Sequence, residues 1–414
     1  MKIRLLITWM TVLLIAGTAL SDELIDFVDK PRLLNTGEAG QGENHFRPRW
    51  SGDGSWLSFE LIDDNSLRVF TTVPGSDFIY ECRSKQKDSY SGALDLFGGG
   101  NSGKLAITRL SWAKQPFNNT AMFCFVDNGV LYKSFAFISG DKPSVAPIGQ
   151  FISSAKMTGV GKKNGLFIPE LGYTPLKGQP PVVFTDNDTG KLFAITEMQN
   201  LVQMTFSKPD EAFSDYCAKF KPVDNAAIVF MRAYEGNSEL YLIEDITHPE
   251  ESLKLLLSWK KSDEVAPNWS PDGKKIAFYS NRHKNGSSKK QWDLYYMDLS
   301  AGGEPTLLAS NIRPDNIDEK IAPPYIGPQW MGDDVIIFIS DDKPNKDPMM
   351  YVQLSTGSIE ILPVGTILND CPNVYDAGDG TYLLAYTTFG KKTTDLTQPD
   401  ITNKIYYAKM IFSE

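Results

Sequence analysis

The apolar positions of this chain fall in short alternating runs broken by Asp, Gly, Asn and Pro, the pattern of brief β-strands joined by tight turns. The clearest instance is Pro267-Asn-Trp269-Ser-Pro-Asp-Gly273-Lys-Lys-Ile-Ala-Phe-Tyr-Ser-Asn-Arg282, which predicts a strand, a turn at Pro-Asp-Gly and a second strand. Trp292-Asp-Leu-Tyr-Tyr-Met-Asp-Leu299 alternates as a third strand, and Glu304-Pro-Thr-Leu-Leu-Ala-Ser310 follows as a fourth. The same grammar recurs at Pro48-Arg-Trp50-Ser-Gly-Asp-Gly54, with Trp56-Leu-Ser-Phe-Glu60 and Leu67-Arg-Val-Phe70 behind it. It recurs again at Pro328-Gln-Trp330-Met-Gly-Asp333, with Val335-Ile-Ile-Phe-Ile339 and Met350-Tyr-Val-Gln-Leu354. Weaker copies begin at Trp112, Phe220 and Val374.

These landmarks fall at 50, 112, 220, 269, 330 and 374, in steps of 62, 108, 49, 61 and 44. The double step implies one further unit, which the apolar runs Gly165–Ile168, Val182–Phe184 and Leu192–Ile195 supply. Seven modules of four strands predict an all-β chain folded as a seven-bladed β-propeller, with six blades as the alternative count. Asp-Gly pairs provide the positive φ that a tight hairpin needs. A Trp on the innermost strand fills the wedge between blades, and a proline suits the first position of that strand, where no ladder donor is lost. The last module lacks an outer strand before the chain stops at Glu414. Lys30-Pro-Arg-Leu-Leu-Asn35 has the form of one, so an N-terminal strand is expected to complete the last blade and remove two exposed edges.

Length and composition fit this reading. The 414 residues are 42% hydrophobic, enough for a large core. The net charge of −10 disfavours a nucleic-acid backbone as partner. Only three histidines occur, His45, His248 and His283, far apart in sequence. Lys2 and Arg4, then the apolar Leu5–Ala16, then Ala19 and Ser21 read as a signal peptide over residues 1–21, cut after Ser21. Its run from Leu5 to Leu20 is 16 residues, short of the ~20 that span a bilayer. Residues 22–414 are then a single propeller domain with 39 basic and 51 acidic residues, a net −12, no membrane span and a periplasmic or secreted location. That compartment permits disulfides, and Cys82, Cys124, Cys217 and Cys371 allow three pairings, of which the sequence selects none.

Pro267–Arg282, with its copies at 48–59 and 328–339, resembles the WD40-like (PD40) propeller repeat found in TolB and in the propeller domain of prolyl oligopeptidase relatives. The resemblance spans nearly all of the mature chain and implies a seven-bladed or six-bladed ring. For TolB it would imply a periplasmic scaffold that docks an envelope partner. The chain departs from TolB in having no room for an α/β domain ahead of Trp50, so no partner carries over. It departs from the peptidases in having no Gly-x-Ser-x-Gly elbow.

Other motifs weigh little. Gly98–Lys104 approaches a phosphate-binding loop, but Leu105 stands where Ser or Thr would hold magnesium. Asp63-Asp64, Asp186-Asn-Asp188, Asp333-Asp334 and Asp341-Asp342 read as solvated turn tips rather than calcium loops. Sequons start at Asn118, Asn187, Asn268 and Asn285. No cofactor or metal is expected.

With no catalytic constellation left over, the expected function is an exported, non-catalytic scaffold that binds a protein or a glycan. The alternative is a carbohydrate-active enzyme, a polysaccharide lyase or glycosidase, with carboxylates converging at the channel mouth. Connections leading into the inner strands should meet around one mouth. Within them His45, Arg47, Glu264, Tyr325 and Asp370 are the expected partner-binding residues.

Overall fold

The computed structural model describes residues 24–36, 44–63, 66–83, 107–127, 129–163, 165–175, 178–207, 211–235, 237–259, 261–282, 291–314, 326–341, 346–389 and 403–412. Residues 1–21, Gly98–Lys104, His283, Asn285 and Tyr325 lie outside the described residues.

Seven antiparallel sheets follow one another along the chain, so the protein is a seven-bladed β-propeller. The innermost strands of blades 1 to 7 are Asn44–Trp50, Ile107–Trp112, Leu166–Leu171, Ser214–Phe220, Glu264–Trp269, Gln329–Met331 and Asn369–Gly378. Each pairs with the next strand in sequence, as Glu264–Trp269 pairs with Lys275–Ser280. Leu171 is the landmark that divides the long interval between Trp112 and Phe220. An aliphatic residue there, in place of an aromatic, kept the third blade out of the Trp pattern.

The turn motif has a physical account. In Ser270-Pro-Asp-Gly273 the Ser270 hydroxyl donates to Asp272 Oδ1 at 2.6 Å and accepts from Lys275 N at 2.9 Å. Gly273 N donates to Ser270 O, and the glycine holds φ 67°. Ser51-Gly-Asp-Gly54 repeats this: Ser51 donates to Asp53, accepts from Trp56 N at 3.0 Å, and Gly54 has φ 68°. The acidic clusters also brace turns, although Asp186 is buried at the end of its strand rather than solvated as expected. Asp333 Oδ1 accepts from Asp272 N across blades 5 and 6, and Asp186 Oδ2 accepts from the Thr189 hydroxyl.

Prolines of the inner strands stand elsewhere than the first strand position. In blades 1, 3, 5 and 7 the register slips between Phe46/Arg49, Phe167/Glu170, Val265/Asn268 and Asp370/Asn373. Pro48, Pro169, Pro267 and Pro372 are the second residue of these bulges, where no ladder partner needs their missing N–H. The first residue of each bulge is left-handed: Arg47, Ile168, Ala266 and Cys371 have φ of 47°, 45°, 52° and 48°. Blade 4 has the same bulge with Cys217 at φ 55° and Ala218 in the proline position.

Trp residues fill the wedges and also tie blades together. Trp269 Nε1 donates to Lys219 O of blade 4, Trp330 Nε1 to Asn268 O of blade 5, each at 3.1 Å, and Trp112 Nε1 to the Ser58 hydroxyl of blade 1 at 3.0 Å. At the junction of blades 7 and 1, Trp50 packs with Leu34, Leu57, Phe70, Ala385 and Ile405. Here the N-terminal segments lie on the outer edge of blade 7. Ile25–Phe27 pairs with Asn403–Phe412 at Phe412, Ile411 and Met410, and Arg32–Leu33 pairs with the same strand at Tyr407 and Tyr406. All four cysteines are buried, and none is joined in a disulfide.

Two outcomes follow for stability. Trp269→Ala should cost about 3–5 kcal/mol in chemical denaturation, the range for large-to-small core changes, with Trp330→Ala alike. Losses below a third of this at both positions would refute the wedge role. Deleting residues 22–36 should bare the edge at Asn403–Phe412 and promote association, read by light scattering. An unchanged melting point and a monomeric deletion variant would show that these segments are dispensable.

Candidate functional site

In blades 1 to 5 and 7 the register slip restarts the in-out alternation of the inner strand and turns the residue that follows it toward the axis; in blade 6 Gln329 takes that place without a slip. Those residues are Arg49, Ser111, Glu170, Lys219, Asn268, Gln329 and Asn373, one from every blade, and all seven line a cleft of about 650 Å³. The cleft lies at the ends where the chain leaves the inner strands. Lys114, Gln115, Tyr173, Tyr375 and Asp376 form part of its rim.

Glu170 is the hub of the ring. Its Oε1 meets Lys114 Nζ at 2.7 Å and Lys219 Nζ at 3.0 Å, and its Oε2 accepts from the Ser111 hydroxyl at 3.4 Å. Burial alone would raise its pKa, but Lys114, Lys219 and Arg49 outweigh burial and hold the carboxyl well below the ordinary range. Burial pushes the Lys219 ammonium down to about 8, against the upward pull of Glu170. Burial, followed by the charge of Glu170, pushes the Tyr173 phenol up to about 12.

The amides of the ring are engaged with their neighbours. Asn268 Nδ2 donates to Pro328 O at 2.9 Å, and Gln329 Nε2 to Gly327 O at 2.9 Å. Asn373 Nδ2 donates to Gln329 Oε1 at 3.2 Å, and its Oδ1 accepts from Trp50 N at 2.8 Å, a bond between blades 7 and 1. Tyr173 is fixed by a two-way clamp: its N donates to Asn225 Oδ1 at 2.7 Å and its O accepts from Asn225 Nδ2 at 2.9 Å. The cleft therefore combines a rigid polar floor, three cations, two carboxylates and aromatic rim residues.

The partner-binding residues expected from sequence are placed at the other ends of the inner strands, and the four that are described are buried. His45 is 3% exposed and packs edge-on against Phe59. Arg47 is 5% exposed and pairs with Glu60 at 2.7 Å. Glu264 is fully buried and accepts from the hydroxyls of Ser262 at 2.6 Å and Ser280 at 3.1 Å. Asp370 is fully buried, accepts from Cys371 N at 2.7 Å and lies 3.8 Å from Arg313. Charge at these strand entries serves internal pairing, as Arg232 also shows by gripping Asp215 at 2.7 and 3.1 Å. Tyr325 lies outside the described residues.

Sequence reasoning missed the ring itself. Its signal was the polar residue directly before each landmark, as in Pro-Arg49-Trp, Pro-Glu170-Leu, Pro-Asn268-Trp and Pro-Gln329-Trp.

Glu264 yields a pH prediction. Burial raises its pKa from an ordinary 4.5 to about 7, so the folded protein binds more protons than the unfolded chain between those values. Stability should therefore fall as pH rises from about 4.5 to 7 and stay reduced above, by an amount of order 3 kcal/mol. Glu264→Gln should raise the melting point at pH 8 and change it little at pH 4. Equal effects of the substitution at both pH values would contradict the assignment.

No family model and no curated protein matches the sequence. Among solved structures the chain is similar to a puromycin hydrolase, with 12% identity, 84% of this chain and 51% of that one covered, and a TM-score of 0.52. It is similar to a catalytically inactive virginiamycin B lyase from Staphylococcus aureus solved with quinupristin, at 13% identity, 93% and 99% coverage and a TM-score of 0.50. TolB from Acinetobacter baumannii matches at 14% identity, 77% and 63% coverage and a TM-score of 0.39. The chain thus spans 63% of that TolB and 51% of that hydrolase. At these identities the likeness shows a shared propeller fold and nothing finer.

Proposed function

We propose that this chain is an exported, non-catalytic propeller that binds a protein or glycan ligand at the exit mouth of its channel. One observation carries the reading: the carboxylate at the centre of the cleft, Glu170, is held by Lys114 and Lys219 well below the ordinary carboxylate range. Such a group is a poor proton donor and a weak base. It suits a fixed charge pattern that a ligand reads. Export rests on the residues of the N-terminal leader, Lys2 to Ser21. Among the described residues no helix is long and apolar enough to cross a membrane.

The enzyme reading has its own observation. Lys219, pushed down to about 8, releases its proton closer to neutrality than an ordinary lysine, which is what a lyase asks of a base. Two structures that share the fold are titled a hydrolase and a lyase. Against this, an ammonium at about 8 still carries its proton at neutral pH, and Lys219 Nζ is tied to Glu170 at 3.0 Å.

The test compares the wild type with Lys114→Ala/Tyr375→Ala, two rim changes outside the ring floor. Both proteins are immobilised and exposed to envelope extract and to a panel of neutral and acidic oligosaccharides. The mouth reading expects the folded double variant to retain its ligand at least tenfold less well, a loss of about 1.4 kcal/mol or more. Equal retention would move docking off this face. Shortened oligosaccharides, or products carrying a new conjugated double bond, would replace the binding reading with the enzyme.

A further inference from the structure

Six of the seven ring side chains have partners within the protein, and Arg49 is the exception. Among the described residues its guanidinium makes no ion pair and no hydrogen bond, it acts on Glu170 only through its charge, and its Nη2 is buried with no acceptor. Its neighbour Trp50 is 8% exposed and lines the same cleft. The Trp50 Nε1 is likewise buried without an acceptor, although the indoles of Trp112, Trp269 and Trp330 each have one. Two donors of adjacent residues are therefore unmatched in one wall of an otherwise satisfied site. Arg49 Nη2 and Trp50 Nε1 are themselves closed to solvent, so a ligand meets the rest of the half-buried guanidinium, which lines the cleft with no bonded partner.

We infer that Arg49 is the specificity-determining residue of the cleft and that it receives the carboxylate of a small organic acid. This rests on the reading of the exit mouth as a ligand site and names what that site selects. A guanidinium presents a planar fork of N–H donors that matches a carboxylate with two parallel bonds. The charge count selects the same class. The charged residues lining the cleft are Arg49, Lys114 and Lys219 against Glu170 and Asp376, a surplus of one positive charge. A single carboxylate neutralises that surplus, whereas a phosphate dianion overshoots it. Lys114 and Lys219 are already matched to Glu170, which leaves Arg49 as the cation available to the ligand. A cleft of about 650 Å³ is of the size that encloses a small molecule rather than a flat protein surface.

The experiment is a saturation-transfer NMR titration of the full chain with four probes: D-galacturonate, N-acetylglycine, D-galactose and inorganic phosphate. Wild type should bind at least one of the two carboxylates about tenfold or more tightly than galactose and phosphate. Which carboxylate binds identifies a sugar acid or an amino-acid derivative as the source. Arg49→Gln should weaken that carboxylate by about tenfold or more, as expected for the loss of a charge-assisted pair. Arg49→Lys, which keeps charge and loses the fork, should fall between the two. Folding of each variant is checked by its melting curve, and the lysine variant carries the comparison if the glutamine variant does not fold. Equal carboxylate affinity in wild type and the folded variants overturns the inference, as does phosphate binding as tightly as the carboxylates. Galactose binding as tightly as galacturonate also overturns it, while leaving the mouth intact as a ligand site. If neither carboxylate binds, only water fills the space at Arg49 and the inference fails; the rim-variant capture assay still decides the mouth reading separately.

Discussion

The left-handed residue in the inner strand of five blades, Arg47, Ile168, Cys217, Ala266 and Cys371, is the constraint on which most of the channel depends. An uninterrupted strand would keep strict alternation and could not serve the ladder, the wedge and the axis with one short segment. The bulge removes one pairing step and resets the phase. The residue after it, usually proline, has no ladder bond to lose. The third residue then faces the axis, and the fourth, often Trp, drops into the wedge. A non-glycine residue with positive φ is strained. Pairing on both sides of each bulge, with Phe46 and Arg49 in register in blade 1, holds that conformation in place.

The same side-chain chemistry has opposite fates at the two ends of these strands. At the entry end, Arg47 with Glu60 and Arg232 with Asp215 are buried pairs whose charge is consumed inside the blade. At the exit end, Glu170 gathers Lys114 and Lys219 in the wall of the cleft, and the Arg49 guanidinium has no bonded partner there. Which end of the inner strand a charge occupies separates the two sets, since Glu170 and Lys219 are nearly as buried as Arg47 and Arg232. Residue type does not separate them.

Cohesion between blades comes from two devices that share the Trp positions. Apolar burial of Trp112, Trp269 and Trp330 fills each wedge, and their indole N–H groups reach across to the preceding blade. The junction of blades 7 and 1 departs from this. There the link runs from Trp50 N to the Asn373 side chain, and Leu34 from the N-terminal segment shares the core around Trp50. Among the described residues, the one indole N–H that is buried without an acceptor, that of Trp50, is found at this junction.

Much of the fold was legible because its signals are local. Ser-x-Asp-Gly turns, alternating strands and Trp landmarks each follow from contacts within a few residues, so six blades could be counted outright and the seventh inferred from spacing. Leu171 escaped the Trp pattern because a wedge accepts any apolar filler of sufficient size. The site was not legible for a different reason. Sequence marks His45, Arg47, Glu264 and Asp370 as charged or rare residues in connections, but their burial is set by partners such as Glu60, Ser280 and Arg313, which lie 10 to 60 residues away. The seven-residue ring exists only once all blades face one axis, with Arg49 and Glu170 brought together from different sheets. Local periodicity determined the blades. Closure of the ring, which is non-local, decided which polar residues face the channel and which face each other.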